Sequence, residues 1–179
     1  MKLEHLERSI AIHKDVTVTL DLGNVTVTGP LGSVSRVLVA PGVYLENKGD
    51  ALIVYAEKAT RAEKRIINTF IAHIQNMIKG VTDGFVYKLK ICSGHFPMKV
   101  TVDKNTVFIN NFLGGRTPRL AKVLNGVKVL IEDDVISVNG VDLEKTGQTA
   151  ANMERATRIT NRDRRIFMDG LWIFAKPDD

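Results

Sequence analysis

Residues 60–80 read Thr60-Arg-Ala-Glu63-Lys-Arg-Ile66-Ile-Asn-Thr-Phe70-Ile-Ala-His73-Ile74-Gln-Asn-Met77-Ile78-Lys-Gly80. Ile66, Phe70, Ile74 and Ile78 recur every four residues, and Ile67, Ile71 and Met77 widen the stripe. That period is the mark of an amphipathic α-helix with one face against a core. Thr60 and Glu63 have the spacing of a capping box, in which each side chain bonds the other residue's orphan backbone N–H. Gly80 is expected to be the C-cap glycine.

Working outward from this helix, the period falls to two. On the amino side Val16, Val18 and Leu20 alternate with polar residues, then Val25 and Val27, with Gly23-Asn24 as the expected turn between them. Alternation of this kind predicts half-buried strands. Gly29-Pro30 ends the second run because proline has no ladder donor. Further strands are expected over 34–39 and 52–55, the latter after the turn-like Asn47-Lys48-Gly49-Asp50. On the carboxyl side Val100 and Val102 lead through Asp103-Lys104-Asn105 to Val107 and Ile109. Val127, Val129 and Ile131 lead through Glu132-Asp133-Asp134 to Ile136 and Val138. A second helix is expected from about Thr146 to Thr157. Its apolar face is thin (Ala150, Ala151, Met153, Ala156), so it should be either less buried than the first or packed closely through small residues.

The halves also align with each other. Val25-Thr-Val27-Thr-Gly-Pro-Leu31-Gly32 resembles Val107-Phe-Ile109-Asn-Asn-Phe-Leu113-Gly114 at an offset of 82 residues. An internal repeat of that length predicts two copies of one small domain. A few short strands need a helix to cover their apolar face, and each half supplies both. The expected fold class is therefore α+β: two tandem similar domains, each a small, mostly antiparallel sheet packed with one α-helix. The expected boundaries are 1–80 and 81–179.

Composition narrows the function. Of 179 residues, 44% are hydrophobic and 25% charged, which suits a folded chain and excludes a disordered one. Net charge is +5, consistent with a polyanion partner. A single cysteine, Cys92, excludes a disulfide framework. Neither a signal peptide nor a membrane-length apolar run is read, so a soluble, reducing, intracellular setting is expected.

The basic groups are unevenly placed. Residues 155–165 carry Arg155, Arg158, Arg162, Arg164 and Arg165 against Asp163 alone, with Thr160 and Asn161 among them and no lysine. Arg155 and Arg158 are expected to share a helix face. A solvated face normally mixes lysine with glutamate, whereas guanidinium forks match phosphate oxygens. Arg116, Arg119 and Lys122 form a smaller group in the same half. Lys58, Arg61, Lys64 and Arg65 of the first half are diluted by glutamates at 57 and 63, so the second domain, 81–179, is expected to be the main RNA-binding one. Few aromatics accompany the basic residues and no stacking-sheet RNA module is read, which argues against single-strand base reading and for contacts to folded RNA by shape and backbone.

Catalytic and metal chemistry find little support. Cys92-Ser-Gly-His95 is half a zinc site with no second pair, so no metal and no cofactor are expected. His73 reads as a partly buried helix residue. Asp133-Asp134 and Asp178-Asp179 read as solvated pairs. Neither the P-loop nor the G-x-G-x-x-G pattern occurs, and Gly114-Gly115 reads as a loop. No catalytic residues and no small-molecule substrate are proposed.

Several phrases of the sequence resemble a known family. They are His73-Ile-Gln-Asn-Met-Ile-Lys-Gly-Val81, Gly84-Phe, Tyr87-Lys, His95-Phe-Pro97 and Asn111-Phe-Leu-Gly114, then Gly147-Gln-Thr-Ala-Ala-Asn152, Ala156-Thr157 and Arg165-Ile-Phe-Met-Asp-Gly170. Together they are similar to the universal large-subunit ribosomal protein family called six in bacteria and nine in eukaryotes, in its archaeal form. Trp172 departs from the tyrosine usual there, and residues 1–8 match poorly.

The resemblance implies two similar domains and no catalysis. It implies a place in the cytoplasmic large ribosomal subunit, near the sarcin–ricin loop and the base of the factor-binding stalk. The implied partners are large-subunit rRNA and neighbouring ribosomal proteins, with translation factors nearby and no membrane. Residue reading and resemblance together nominate Arg116, Arg119, Lys122, Gln148, Asn152, Arg155, Arg158, Asn161, Arg162, Arg164 and Arg165 as rRNA-facing. The competing reading is a protein-interaction module that pairs through sheet edges. Alanine at Arg158, Arg164 and Arg165 separates the two, because only RNA binding should weaken.

Overall fold

The structure, a computed structural model, describes residues 3–163 and 165–177. The chain separates into two compact units, Met1–Gly84 and Phe85–Asp179. The division falls after Gly84 instead of Gly80, for a reason visible in the first helix.

In the first unit β1 (Leu3–Ala11), β6 (Ala51–Ala59) and β5 (Tyr44–Asn47) form one antiparallel sheet in the order β1-β6-β5. β2 (Thr17–Asp21), β3 (Asn24–Gly29) and β4 (Gly32–Val37) form another, with β3 central. Asp21 pairs with Asn24, so the β2–β3 turn is Leu22-Gly23, with φ of 45° and 84°. This corrects the expected Gly23-Asn24: a two-residue hairpin turn needs positive φ at both central positions, and here a leucine 97% exposed accepts one of them. No sequence signal announces β1. Its side chains from Glu4 to Ser9 are largely exposed, so no apolar period betrays it, and it is held by its ladder to β6.

The helix α1 (Arg61–Thr82) begins as its sequence predicts. Thr60 is the N-cap and the reciprocal bonds to Glu63 are both made. It runs through Gly80, however, and ends at Asp83, whose N–H reaches the Lys79 carbonyl. Gly80 and Val81 are buried, and this packing outweighs the roughly 1 kcal/mol a mid-helix glycine costs. The glycine in the left-handed region is Gly84, at φ 76°. Ile67, Phe70, Ile74, Met77 and Ile78 supply the buried stripe, and His73 is half-buried. Lys58, grouped with the helix in the sequence, lies in β6.

The second unit repeats this plan with one addition. β8 (Lys99–Asp103), β9 (Thr106–Asn110) and β10 (Arg119–Lys122) form a three-stranded antiparallel sheet. β11 (Val127–Glu132), β12 (Val135–Gly140), β7 (Phe85–Cys92) and β13 (Gly170–Ala175) form a four-stranded one in the order β11-β12-β7-β13. The helix α2 (Leu143–Ala156) starts earlier than expected because Asp142 caps it, accepting the N–H groups of Glu144 and Lys145. Its small residues pack closely. Ala150 and Met153 are fully buried with Leu89, Val107, Ile109, Ile136, Val138 and Leu171. Thr146 and Thr149 are buried too, and return their hydroxyls to the carbonyls of Asp142 and Lys145 at 2.6 and 2.8 Å. A threonine satisfied in this way carries no unpaired polar group into the core.

Candidate nucleic-acid interface

The nominated side chains gather at two places in the second unit. The first is the edge where α2 lies beside β10. Asn152 donates through Nδ2 to the Lys122 carbonyl at 3.1 Å, and Gln148 Nε2 donates to Asn152 Oδ1 at 2.8 Å. Arg119 reaches the Ala156 carbonyl at 3.5 Å, and its guanidinium carbon is 5.3 Å from the centroid of the Phe112 ring. Arg119, Lys122, Gln148 and Arg155 are exposed. Helical spacing places Gln148, Asn152 and Arg155 on one stripe, and β10 brings Arg119 and Lys122 alongside. The opposite side of the same segment is core: Thr149, Ala150 and Met153 are buried. Gly147 belongs to neither face in any simple way. A Cβ there would lie 2.9 Å from the Tyr87 hydroxyl oxygen, so this glycine serves helix–sheet packing.

The second place is the loop after α2. Arg158 lies beyond the C-cap Thr157 and does not continue the helix face of Arg155, which corrects the expected pairing. The chain turns where Thr157 donates its hydroxyl to the Glu154 carbonyl and accepts the Leu171 N–H. Asn161 is left-handed at φ 59°, a conformation asparagine tolerates. Arg162 has its guanidinium carbon 4.8 Å from the Phe167 centroid. Arg165 forms a forked pair with Asp163, its Nε and Nη2 donating at 3.1 and 2.7 Å. That pair holds the Asp163 carboxyl below its ordinary range and raises Arg165 above its own. Arg165 thus already has an anion. Arg158, Asn161 and Arg162 are exposed, Arg116 is exposed in the segment before β10, and Arg164 lies outside the described residues, as do Asp178 and Asp179.

His95 does not act with Cys92. Its Nδ1 lies 2.6 Å from Asp169 Oδ2, and its backbone N–H donates to Asp169 Oδ1 at 2.9 Å. Burial pushes the Asp169 carboxyl up, but the His95 bonds and charge and a Gly94 N–H outweigh it, and the net direction is down. Cys92 is half-buried and unpaired, at the side of an apolar cleft of about 510 Å³ with Arg165, Met168 and Trp172. Among the described residues no cluster of three or more His, Cys, Asp or Glu side chains could hold a metal, and no helix is long and apolar enough to cross a membrane. Sequence reasoning missed His95 and Asp169 as partners. No signal in the sequence links them, because they lie 74 positions apart.

The fold and these two places define a class: a duplicated α+β protein whose second unit carries a polar, arginine-rich surface. Comparison with known proteins gives the particular family. The model of ribosomal protein L6 matches residues 8–84 and again 96–170. The large ribosomal subunit protein uL6 of Desulfurococcus amylolyticus is 45% identical over 175 residues, covering 96% of this chain and 95% of the relative. That of Methanobrevibacter smithii is 42% identical over 171 residues, covering 96% of each. That of Methanosarcina mazei is 40% identical over 174 residues, covering 97% of this chain and 99% of its own. The chain belongs to the ribosomal protein L6 family, and these relatives are archaeal.

Proposed function

We propose that the protein is a structural constituent of the cytoplasmic large ribosomal subunit that binds large-subunit rRNA through its second unit. Its place is near the sarcin–ricin loop and the base of the factor-binding stalk. Neighbouring ribosomal proteins are its other contacts, and translation factors dock close by. Its role is architectural and not enzymatic.

The observation that carries this reading is the α2–β10 edge. Two segments about thirty residues apart converge there, joined by the Asn152–Lys122 bond. They present Arg119, Lys122, Gln148 and Arg155 outward. Cations supply attraction to phosphate, and amides add directional bonds to sugar and backbone. A rigid helix–strand edge also limits the entropy lost on binding.

The test is co-sedimentation followed by a salt titration. The protein should travel with large subunits. Its affinity for a transcribed large-subunit rRNA fragment should fall about 10³-fold between 50 and 200 mM salt if about six phosphates are neutralised. A protein found only in the free cytosolic pool, or a flat salt response, overturns the proposal.

A further inference from the structure

Two loops far apart in sequence meet in the second unit as a column of stacked groups. At its inner end Asp169 is 2% exposed. It takes both the backbone N–H and the ring nitrogen Nδ1 of His95. An ionised carboxylate can only accept, so the ring keeps a proton on Nδ1 and is fixed in orientation. Phe167 stacks on that ring, with centroids 4.7 Å apart and planes 25° from parallel. Arg162 ends the column, its guanidinium over Phe167 and its side chain exposed.

The backbone under the column is held as well. Ile166 and Phe167 donate their N–H groups to the Asp163 carbonyl at 3.1 and 2.9 Å, and Arg165 N–H bonds the Asp163 side chain at 2.9 Å. The two arginines of this loop therefore differ in kind. Arg165 is engaged by a carboxylate, whereas Arg162 lies over a ring that stacks on a histidine held by a buried carboxylate. The cation–π contact holds the Arg162 guanidinium in place, which a solvated arginine lacks. A guanidinium spread over a ring keeps its donors at its edge, and guanidinium planes are surfaces on which splayed-out bases stack in RNA loops and bulges.

We propose that Arg162, held over Phe167 by the His95–Asp169 pair, is a stacking site for an unpaired RNA nucleobase, the plane taking the base and the edge the adjoining phosphate. Phe167, His95 and Asp169 are positioning residues. The inference rests on the reading that this unit binds ribosomal RNA.

The full-length protein tests it by fluorescence anisotropy with two probes: a transcribed large-subunit rRNA fragment containing loops, and a fully paired RNA duplex of about 20 base pairs. Arg162→Lys keeps the charge and removes the plane. It should weaken binding to the looped transcript about tenfold, the scale of one lost base stack, with an unchanged salt slope and unchanged affinity for the duplex. Phe167→Leu should do the same. Asp169→Asn, acting through His95, should lose several-fold on the transcript alone. Because Arg162 is exposed, its lysine variant tests the idea even if the buried variants fail to fold. Wild-type affinity of Arg162→Lys for the transcript, or an equal loss on both probes, overturns the stacking site while leaving the rRNA reading intact. A wild-type protein whose binding ignores salt overturns that reading, and the stacking site with it.

Discussion

Asp169 shows how one residue can be buried for the sake of its partners. Burial alone would raise its carboxyl, yet bonds from His95 and Gly94 bring it below the ordinary carboxylate range. A depressed folded-state value means the folded protein holds the anion better than the unfolded chain does. The stability this contributes is present above the unfolded value near pH 4, and is lost as pH falls through that value towards the folded one. Asp169→Asn should therefore destabilise the protein at pH 7, and the gap from wild type should narrow on acidification below about pH 4. Urea denaturation at pH 7 and pH 3 measures both gaps, and a gap that widens with acid would refute the assignment. The arginines of this loop were legible in the sequence because crowded guanidinium groups are visible as composition. Their anchor was not, because His95 and Asp169 lie 74 positions apart and only folding brings them together.

At the scale of elements, the repeat governs more than the short match between residues 25–32 and 107–114 suggests. The helices begin at Arg61 and Leu143, 82 residues apart, and their N-caps Thr60 and Asp142 keep the same interval. β2 and β8 start at Thr17 and Lys99, and β1 and β7 at Leu3 and Phe85, again 82 apart. β1 could thus have been inferred by carrying β7 back one repeat, although its own exposed side chains hide it. β13 has no counterpart, and neither periodicity nor repeat announces it: Gly170 to Ala175 is a short apolar run whose strand character comes from pairing with β7. The weak stripe of α2 has the same origin, since buried threonines satisfied by their own helix read as polar in a sequence. Two substitutions probe these packings. Met153→Ala empties a fully buried site and should cost about 2–5 kcal/mol. Gly29→Ala places a Cβ 2.7 Å from Val81 Cγ2 and 2.9 Å from the Val81 carbonyl oxygen, where the β3–β4 turn rests on the end of α1. The backbone atom cannot rotate away, so a loss of about 1–3 kcal/mol is expected. Thermal melts read both, and an unchanged midpoint in either variant would show that the packing there is loose.

Over the whole molecule, charge divides unequally between units that share a plan. Residues 1–84 hold ten Lys and Arg against nine Asp and Glu, a net of +1, and residues 85–179 hold fifteen against eleven, a net of +4. Seven of the eleven arginines fall in the second unit. Duplication supplies two similar scaffolds, but a cationic surface has been built on one. If phosphate attraction drives binding, salt sensitivity should follow the second unit only. Lys64 and Arg65 are exposed on α1, so Lys64→Ala with Arg65→Ala should leave both rRNA affinity and its salt slope near wild type. Arg119→Ala with Lys122→Ala, at the α2–β10 edge, should reduce the slope of log affinity against log salt by about two, one for each phosphate no longer neutralised. The reductions in affinity should be similar across RNA sequences, since bonds to the backbone carry no sequence information. Equal slopes for the two double variants would mean that the attraction is spread over both units, and the assignment of the interface to the second would fail.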